Sequence, residues 1–431
     1  SVPVKIVEEP VADFATGAKT TLFLKSDGSL WGMGELGVLN SSWGKQRDPV
    51  QLTDGPLLGF AASLGSIYFI ESNGSLWAAG SNANGKLGDG TTQNRMSPVQ
   101  VMASGARQVT TRNEHVAVIK DNGSLWTFGK NSSGALGTGT QVNSYIPQKI
   151  EDSGVVAAWT SYFSTVYLKS DGTLWGMGSN DFRVLQNINQ SKILQPVQIA
   201  SGVSKAAVGD NHLIYLDLNG TLWGRGKNQN GELGQPTKNT YEEPVVIISG
   251  GVTDLVAGCN FSTVLLGDGR ILTFGHNRFG QLGTGDLIWT RTPKKVPGLR
   301  VKHAAANTNG TYFVDLNDSL WSVGTDNFGD LGDGGGNNHL VTPYRVVAGG
   351  VDSVSTHNEH VLYRELNGSL MGFGNGGNGQ LSGNSSSDHP VSVYPGRVLS
   401  YATGQNHSAM VLADGSLWTF GKNHKGQLGD G

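Results

Sequence analysis

A five-residue segment recurs nine times along this chain, and its spacing limits the possible folds more than any other feature. The segment reads Asp-Gly-Ser-Leu-Trp at residues 27–31 and keeps this pattern, with small variations, through residues 414–418. Its last position is occupied by Trp31, Trp77, Trp126, Trp175, Trp223, Leu272, Trp321, Met371 and Trp418. A proline keeps the same period, at Pro3, Pro49, Pro98, Pro147, Pro196, Pro244, Pro293, Pro343 and Pro390. Successive Trp positions are 46 to 50 residues apart, so the chain is predicted to contain nine tandem copies of one unit.

Repeat three shows why each copy predicts four short strands. Pro98 opens an extended stretch, because proline fixes φ and suits the first residue of a strand. Residues 108–111, 115–119 and 124–129 are three further segments rich in β-forming residues. The Asn122-Gly123 pair predicts a hairpin with a primed turn, whose central residues need φ > 0. Four strands per repeat are typical of a propeller blade, so we predict an all-β fold, a single β-propeller of nine four-stranded blades.

The glycine-rich end of the repeat carries a family resemblance. Residues 421–431 read G-K-N-H-K-G-Q-L-G-D-G, and residues 404–408 read G-Q-N-H-S. Both resemble motifs of the regulator of chromosome condensation (RCC1) repeat, in its bacterial-type form, and the resemblance extends over essentially the whole chain. It implies one propeller domain over residues 1–431. Repeats one, four and eight depart from the motif, at residues 34–37, around Arg183 and Gln186, and at Met371 and Ser382. The best-known members of the family have seven blades, so nine is a further departure.

The two ends of the chain complement each other. Each internal glycine motif is followed by a proline strand, but the last one, ending at Gly431, is not, and Pro3 has no motif before it. We therefore expect residues 2–6 to pair with residues 416–420 in the last blade, with Ser1 near Gly431. Such pairing would close the ring and remove two open sheet edges. The alternative is that the nine repeats belong to a longer, open array.

Composition excludes several classes of partner. The chain has 64 glycines, 31 basic and 34 acidic residues and a net charge of −3, without the basic stripe expected of a nucleic-acid-binding protein. No run of 18 apolar residues is present, so membrane insertion is not predicted. The single cysteine, Cys259, allows no intrachain disulfide, which fits a cytosolic protein or a large secreted domain.

Two repeated residue types could be read as functional, and we predict that both are structural. His115, His212, His360 and His407 occupy one register, one per blade, so they cannot converge on a metal ion across a wide ring. We therefore predict hydrogen-bonding roles for these histidines and no metal site. The tryptophans of the repeat are predicted to fill the gaps between blades. Leu272 and Met371 at the same position support packing, because neither side chain offers a stacking face.

No nucleophile, zinc-binding or phosphate-binding motif is present, so the sequence predicts no catalytic residues and no cofactor. Aromatic residues outside the repeat pattern lie between the glycine motifs and the following prolines. These candidate partner-binding residues are Trp43, Tyr145, Tyr241 and Trp289. Propellers commonly bind partners through irregular loops on one face, and aromatic side chains often anchor such contacts. Packing of these side chains against their own blade is the alternative.

These observations favour a non-enzymatic binding scaffold that recognises a protein or a glycan through inter-blade loops. We expect a bacterial chain outside the cell or at the cell surface, present as a monomer or as part of a longer chain, with the cytoplasm as the alternative location. The resemblance to RCC1 repeats also implies two alternatives: guanine-nucleotide exchange on a small GTPase, and inhibition of a secreted enzyme. The sequence identifies neither the partner nor the face that binds it.

Overall fold

A computed structural model describes residues 3–16, 20–34, 46–53, 55–63, 65–112, 114–209, 211–237, 239–257, 260–278, 280, 282–306, 310–335, 339–357, 359–383, 385–424 and 426–430. These residues form nine four-stranded antiparallel sheets, each one blade of a β-propeller. The predicted fold class is therefore confirmed. Two single-turn 3₁₀ helices, Ala83–Gly85 and Asp181–Arg183, are the helical segments of the described ranges. No helix there is long and apolar enough to cross a lipid bilayer.

The strands follow the repeat in chain order. The strand β1 (Val4–Val7) precedes blade 1, and blades 1 to 3 comprise β2 (Val11–Thr16), β3 (Thr20–Lys25), β4 (Leu30–Gly34), β5 (Gln46–Thr53), β6 (Leu57–Ser63), β7 (Ser66–Glu71), β8 (Leu76–Gly80), β9 (Arg95–Met102), β10 (Ala106–Thr111), β11 (His115–Lys120), β12 (Leu125–Gly129) and β13 (Ser144–Glu151). Blades 4 to 6 comprise β14 (Val155–Thr160), β15 (Ser164–Lys169), β16 (Leu174–Ser179), β17 (Lys192–Ala200), β18 (Val203–Val208), β19 (His212–Asp217), β20 (Leu222–Gly226), β21 (Tyr241–Ile248), β22 (Val252–Ala257), β23 (Phe261–Leu266), β24 (Ile271–Gly275) and β25 (Thr290–Lys295). Blades 7 to 9 comprise β26 (Val301–Ala306), β27 (Gly310–Asp315), β28 (Leu320–Thr325), β29 (His339–Val347), β30 (Val351–Thr356), β31 (His360–Glu365), β32 (Leu370–Gly374), β33 (Ser387–Tyr394), β34 (Val398–Thr403), β35 (His407–Leu412) and β36 (Leu417–Gly421).

A chain of side-chain hydrogen bonds explains the recurring five-residue segment. In blade 3, Asn122 Oδ1 accepts from the backbone N–H of Ser124 at 3.0 Å and from its hydroxyl at 2.7 Å. The Ser124 hydroxyl in turn accepts from the indole N–H of Trp126 at 3.0 Å. The motif is therefore a turn whose side chains also fix the orientation of the tryptophan ring.

The predicted turn type was wrong. Within this hairpin only Gly123 has a positive φ, of 77°, whereas a type I′ turn would need positive φ at both central residues and a type II′ turn at the first. Gly123 N–H donates to the Lys120 carbonyl at 2.8 Å, and Lys120 N–H donates to the Ser124 carbonyl at 3.0 Å. This pattern is that of a longer hairpin loop, in which a turn is followed by a bulge. Gly123 occupies the bulge and has the left-handed conformation there.

Nine apolar clusters hold the ring together, one at each junction between neighbouring blades. The first strands of adjacent blades contact each other around the central axis, so the fourth strand of each blade is outermost. Each tryptophan of the repeat is half-buried and packs against the cluster shared with the preceding blade, as Trp126 does at the junction of blades 2 and 3. Leu272 and Met371 take the same place in blades 6 and 8.

The ring is closed by its first strand. The strand β1 is the fourth, outermost strand of blade 9, where Val4 pairs with Thr419 and Val7 with Leu417 in antiparallel register. Val7 and Val11 also share an apolar cluster with Val411 of blade 9. The predicted closure is thus confirmed, whereas Ser1, Val2 and Gly431 lie outside the described residues.

Candidate binding surface

The antiparallel order of each blade sorts its connections onto two faces. The connections between the first and second strands, and between the third and fourth strands, lie at the same end of every blade. We call this end the loop face. It carries the long glycine-rich segments, such as residues 130–143 of blade 3, whereas the opposite face carries the hairpin turns described above.

Tyr145, one of the aromatic residues singled out in the sequence, lies at the outer rim of the loop face. It is the second residue of β13 and is 43% exposed. Gly85 of the preceding blade has φ +70°, and a Cβ added there would lie 2.9 Å from the Tyr145 Cα. Gly90 N–H donates to the Tyr145 carbonyl at 2.8 Å. The backbone of Tyr145 therefore holds the glycine-rich loop of blade 2 in place.

The same contact recurs around the ring, so the glycine-rich motif joins blades as well as connecting strands. In each case the backbone N–H of a glycine in one blade donates to a carbonyl of the next blade's outer strand. The pairs are Gly139 with Leu194 at 2.8 Å, Gly285 with Val341 at 2.6 Å, and Gly334 with Asp388 at 2.8 Å. Glycine is needed where the two backbones approach this closely.

The other predicted aromatic residues are not brought together. Tyr241 is the half-buried first residue of β21, and its hydroxyl lies 2.7 Å from the Thr237 hydroxyl. Trp289 precedes β25, is 39% exposed and lies 4.9 Å, between ring centroids, from His276. Each residue is in a different blade. Trp43 lies outside the described residues.

A pair of aromatic residues that the sequence analysis missed lies on the loop face in blade 4. Tyr162 and Phe163 form the connection between β14 and β15 and are 43% and 52% exposed. A hydrogen bond from Ser161 N–H to the Ser164 carbonyl, 2.9 Å long, tightens this connection. The two ring centroids are 6.1 Å apart, and the Arg112 guanidinium lies 5.4 Å from the Tyr162 ring. Two exposed aromatic side chains and an arginine therefore form one cluster, across blades 3 and 4.

A signal for this pair was present in the sequence. The two residues before the histidine register are small or polar, or a single leucine, in the other eight repeats, for example Asn113-Glu114 in repeat three. Only repeat four has two aromatic residues at these positions. The pair is therefore visible only as a departure of one copy from the repeat.

Basic side chains also occur in the loops of blades 3 to 6 on the loop face. Blades 3 to 6 carry at least one each in their loops, namely Arg112, Lys130, Arg183, Lys227 and Arg278. Two of these lysines are neutralised nearby, Lys130 by Glu114 at 2.5 Å and Lys227 by Glu232 at 3.4 Å. Arginine binds carboxylates in a planar, two-pronged geometry, and Arg112 is the arginine that lies beside the aromatic pair.

The histidine register has the structural role predicted for it. His115 Nε2 lies 3.1 Å from the Thr165 hydroxyl of the next blade, which donates to the Ala135 carbonyl at 2.9 Å. His212 and His360 make the same contact, with Ser262 at 3.2 Å and with Ser408 at 2.9 Å. Burial lowers the pKa of His115 and of His212 to about 4, and that of His360 to about 3. These imidazoles are therefore neutral at physiological pH.

Polar groups on the first strands of blades 7 to 9 also have hydrogen-bond partners within the protein. A cavity of about 240 Å³ is lined by the first strands of blades 7 to 9, including His303, Ser353 and Tyr401. His303 Nε2 lies 3.1 Å from the Val354 carbonyl, and the Tyr401 hydroxyl donates to Ser353 at 3.0 Å. Among the residues that the structure describes, no group of three or more His, Cys, Asp or Glu side chains is placed to hold a metal ion.

Family models match this chain in segments that correspond to its repeats. A family model described as the regulator of chromosome condensation (RCC1) repeat matches residues 73–119, 122–165, 219–265 and 268–314. A second model with the same description matches residues 203–232 and 400–427. Together the matches span more than half of the chain and reach into the last blade.

Individual proteins are similar over part of their length. A protein RCC2 homolog of Xenopus laevis is 29% identical over 125 residues, which are 28% of this chain and 24% of the relative. A secretion-regulating guanine nucleotide exchange factor of Bos taurus is 26% identical over 133 residues, 30% of this chain and 29% of that protein. The chain therefore matches less than a third of either relative.

A solved structure shows that the fold is shared over a longer span. Prp20p of Saccharomyces cerevisiae, whose structure was described with its binding to Gsp1p and histones, superposes with a TM-score of 0.53. The superposition covers 86% of this chain and 92% of Prp20p at 17% sequence identity. At this identity, the likeness concerns the fold alone.

Proposed function

We propose that this chain, which belongs to the regulator of chromosome condensation (RCC1) repeat family, is a non-enzymatic scaffold that binds a protein partner through its loop face. The observation that carries this proposal is the exposed pair Tyr162 and Phe163 beside Arg112. Aromatic residues and arginine contribute most of the binding energy in many protein interfaces. The scaffold that holds them is rigid, since each blade is joined to its neighbours by an apolar cluster.

The geometry of the pair favours a protein over a glycan. The two rings are inclined at 43° to each other, so they present an uneven surface rather than one flat platform for a sugar ring. Uneven, partly apolar surfaces are suited to receiving side chains. Arg112, which lies beside the Tyr162 ring, favours a partner with a carboxylate near its apolar contact.

Site-specific photocrosslinking tests this proposal. A photoreactive phenylalanine analogue is placed at position 163 or, as the control, at position 344, where Tyr344 is 44% exposed but lies on the outer strand β29. The proteins are irradiated with extract of the native source, and crosslinked partners are identified by mass spectrometry and then purified. We expect one protein to crosslink from position 163 and to bind the unlabelled chain with 1:1 stoichiometry. Crosslinking of that partner from position 344 alone would contradict the proposal.

Guanine-nucleotide exchange is a second candidate, because the bovine relative is named as an exchange factor. Exchange would also be protein recognition, with the propeller displacing nucleotide from a bound GTPase. The test is release of a fluorescent guanine nucleotide from a panel of small GTPases, with the Phe163→Ala variant as comparison. Acceleration by the wild-type chain and its loss in the variant would favour exchange over simple binding.

We propose further that the chain acts outside the cell or at its surface. Its low charge and its turns rich in Asn, Ser, Thr and Gly support this location. Fractionation of the source cells with an antibody to the chain is the test, and recovery in the cytosol alone would contradict it.

A further inference from the structure

Blade 7 departs from a loop contact that six other blades share. In these six, the asparagine of the glycine-rich motif lies just after the third strand and organises the following loop. Its side-chain oxygen accepts from a leucine N–H five residues later, and its amide N–H₂ donates to oxygen atoms further along. The six asparagines are Asn82, Asn131, Asn180, Asn228, Asn277 and Asn423.

The amide group of this asparagine therefore lies in a cage of oxygen atoms. In blade 2, Asn82 Nδ2 donates to Asp89 Oδ1 at 2.9 Å and to the Thr91 carbonyl at 3.0 Å. In blade 3, Asn131 Nδ2 donates to the Thr138 hydroxyl at 3.2 Å and to the Thr140 carbonyl at 2.9 Å. These ligands are the seventh and ninth residues after the asparagine. In these contacts the surrounding oxygen atoms act as acceptors, so the centre of the cage favours a donor or a positive charge.

Blade 7 has Asp326 at this position, in the sequence Asp-Asn-Phe-Gly-Asp-Leu-Gly-Asp-Gly-Gly over residues 326–335. Replacing the amide by a carboxylate puts another oxygen where the other blades place N–H₂. Asp326 is 1% exposed, and neither carboxylate oxygen has a hydrogen-bond partner among the described residues. No described lysine, arginine or histidine pairs with it. A buried carboxylate left in this way is strongly disfavoured.

The other half of the cage is retained. The seventh and ninth residues after Asp326 are Asp333 and Gly335. Gly335 N–H donates to Asp333 Oδ1 at 3.1 Å, as Thr91 N–H donates to Asp89 Oδ1 at 3.0 Å in blade 2. The Asp333 carboxylate therefore shares this backbone contact with the Asp89 carboxylate that binds the amide in blade 2. By register, Asp333 and the Gly335 carbonyl correspond to the groups that bind the amide at this position in blades 2 and 3.

We propose that the loop between the third and fourth strands of blade 7 binds a calcium ion through Asp326, Asp333 and the Gly335 carbonyl, with the remaining positions filled by water. Calcium prefers six to eight oxygen ligands, including carboxylates and backbone carbonyls, in a flexible arrangement. Magnesium needs a stricter octahedron and keeps most of its own water, so calcium fits an irregular glycine-rich loop better. This inference goes beyond the binding role proposed above, and it departs from the sequence expectation that the chain has no metal site.

Calorimetric titration tests the proposal on the full chain. The protein is freed of divalent ions with EDTA, dialysed and titrated with calcium chloride, and its melting temperature is measured with and without calcium. We expect about one ion per chain, a dissociation constant of roughly 10⁻⁴–10⁻³ M, as in sites with few charged ligands, and a rise in melting temperature. Absence of both heat and thermal shift would overturn the proposal. An equal response to magnesium would overturn the choice of calcium.

Two variants locate the ion. Asp326→Asn restores the amide of the six other blades, so we expect it to abolish calcium binding and to melt at a higher temperature than the calcium-free wild type. Asp333→Asn is the second variant, and we expect it to raise the dissociation constant for calcium at least tenfold. Asp89→Asn is the matched control in blade 2, and we expect its calcium response to equal that of the wild type. Calcium binding retained by Asp326→Asn would overturn the assignment.

Discussion

The Nε2 atom of His407 lies 3.0 Å from the Thr21 hydroxyl, although the two residues are 386 positions apart in the chain. His407 belongs to blade 9 and Thr21 to blade 1, so this contact repeats, across the closure, the one that His115 makes with Thr165 between blades 3 and 4. The Thr21 hydroxyl also donates to the Gln427 carbonyl at 3.1 Å. The junction formed by the two ends of the ring is therefore built like the internal ones.

Closure by β1 predicts that deletion of residues 1–8 destabilises the whole ring. The deletion removes the outermost strand of blade 9 and Val7 from the cluster of the closing junction. It also exposes the edge of β36, which can then pair with another chain. We expect a lower melting temperature and concentration-dependent self-association by light scattering. Thr21→Val, which removes only the hydroxyl, serves as the milder comparison. Unchanged thermal unfolding and a monodisperse deletion variant would contradict closure by this strand.

The buried histidines predict that the protein loses stability in mild acid. The pKa of His115, His212 and His360 is lowered in the folded state by burial, to about 4, 4 and 3. Below the unfolded-state pKa of about 6.5, the unfolded chain binds protons that the folded chain does not. Each histidine therefore removes about 1.4 kcal/mol of stability per pH unit, between about pH 6.5 and its folded-state pKa.

Urea unfolding between pH 7.5 and 5 measures this loss. His115→Gln keeps a hydrogen-bonding side chain that does not titrate, so we expect a shallower dependence of stability on pH in this variant. A wild-type stability that is constant over this range would refute the role of the buried imidazoles.

The tryptophan of the repeat predicts a graded loss of stability. Trp126 packs against the cluster between blades 2 and 3, and its indole N–H is bonded to Ser124. Truncation to alanine should destabilise the protein by about 3 kcal/mol, in the range of aromatic truncations in a core. Trp126→Leu should lose less, because Leu272 fills this position in blade 6. Equal losses for both variants, or none, measured by urea unfolding, would contradict the packing role.

The contact between the glycine motif and the next blade predicts a position-dependent effect of alanine. Gly85 has φ +70° and faces the Tyr145 backbone, whereas Gly202 has φ +66° and nothing within 4 Å of an added Cβ. Both substitutions introduce backbone strain, but only Gly85→Ala also forces two blades apart. We expect Gly85→Ala to lose roughly 1–3 kcal/mol more than Gly202→Ala, as overpacking does. Equal melting temperatures for the two variants would show that the glycine motif is only a connection.

The repeat period and the strand pattern were sufficient to predict the blades, their number and the closing strand. Some details that the sequence did not reveal are contacts between repeats. The glycine motif looked like a connection because its partner, the Tyr145 backbone, is about one repeat further along the chain. The Tyr162–Phe163 pair was missed because it departs from the repeat, and functional residues on a repetitive scaffold are expected to be such departures. The turn was predicted incorrectly because Asn-Gly suits more than one hairpin type.

The binding of the crosslinked partner to single variants tests the central claim most directly. Titration calorimetry with the purified partner compares the wild type with Phe163→Ala and with Tyr344→Ala, which removes an aromatic side chain of similar exposure away from the loop face. We predict that Phe163→Ala weakens binding about 30-fold, or about 2 kcal/mol, as truncation of an interface hot spot does, while Tyr344→Ala binds like the wild type. Equal affinities of the wild type and Phe163→Ala, with both variants fully folded, would contradict recognition through this surface.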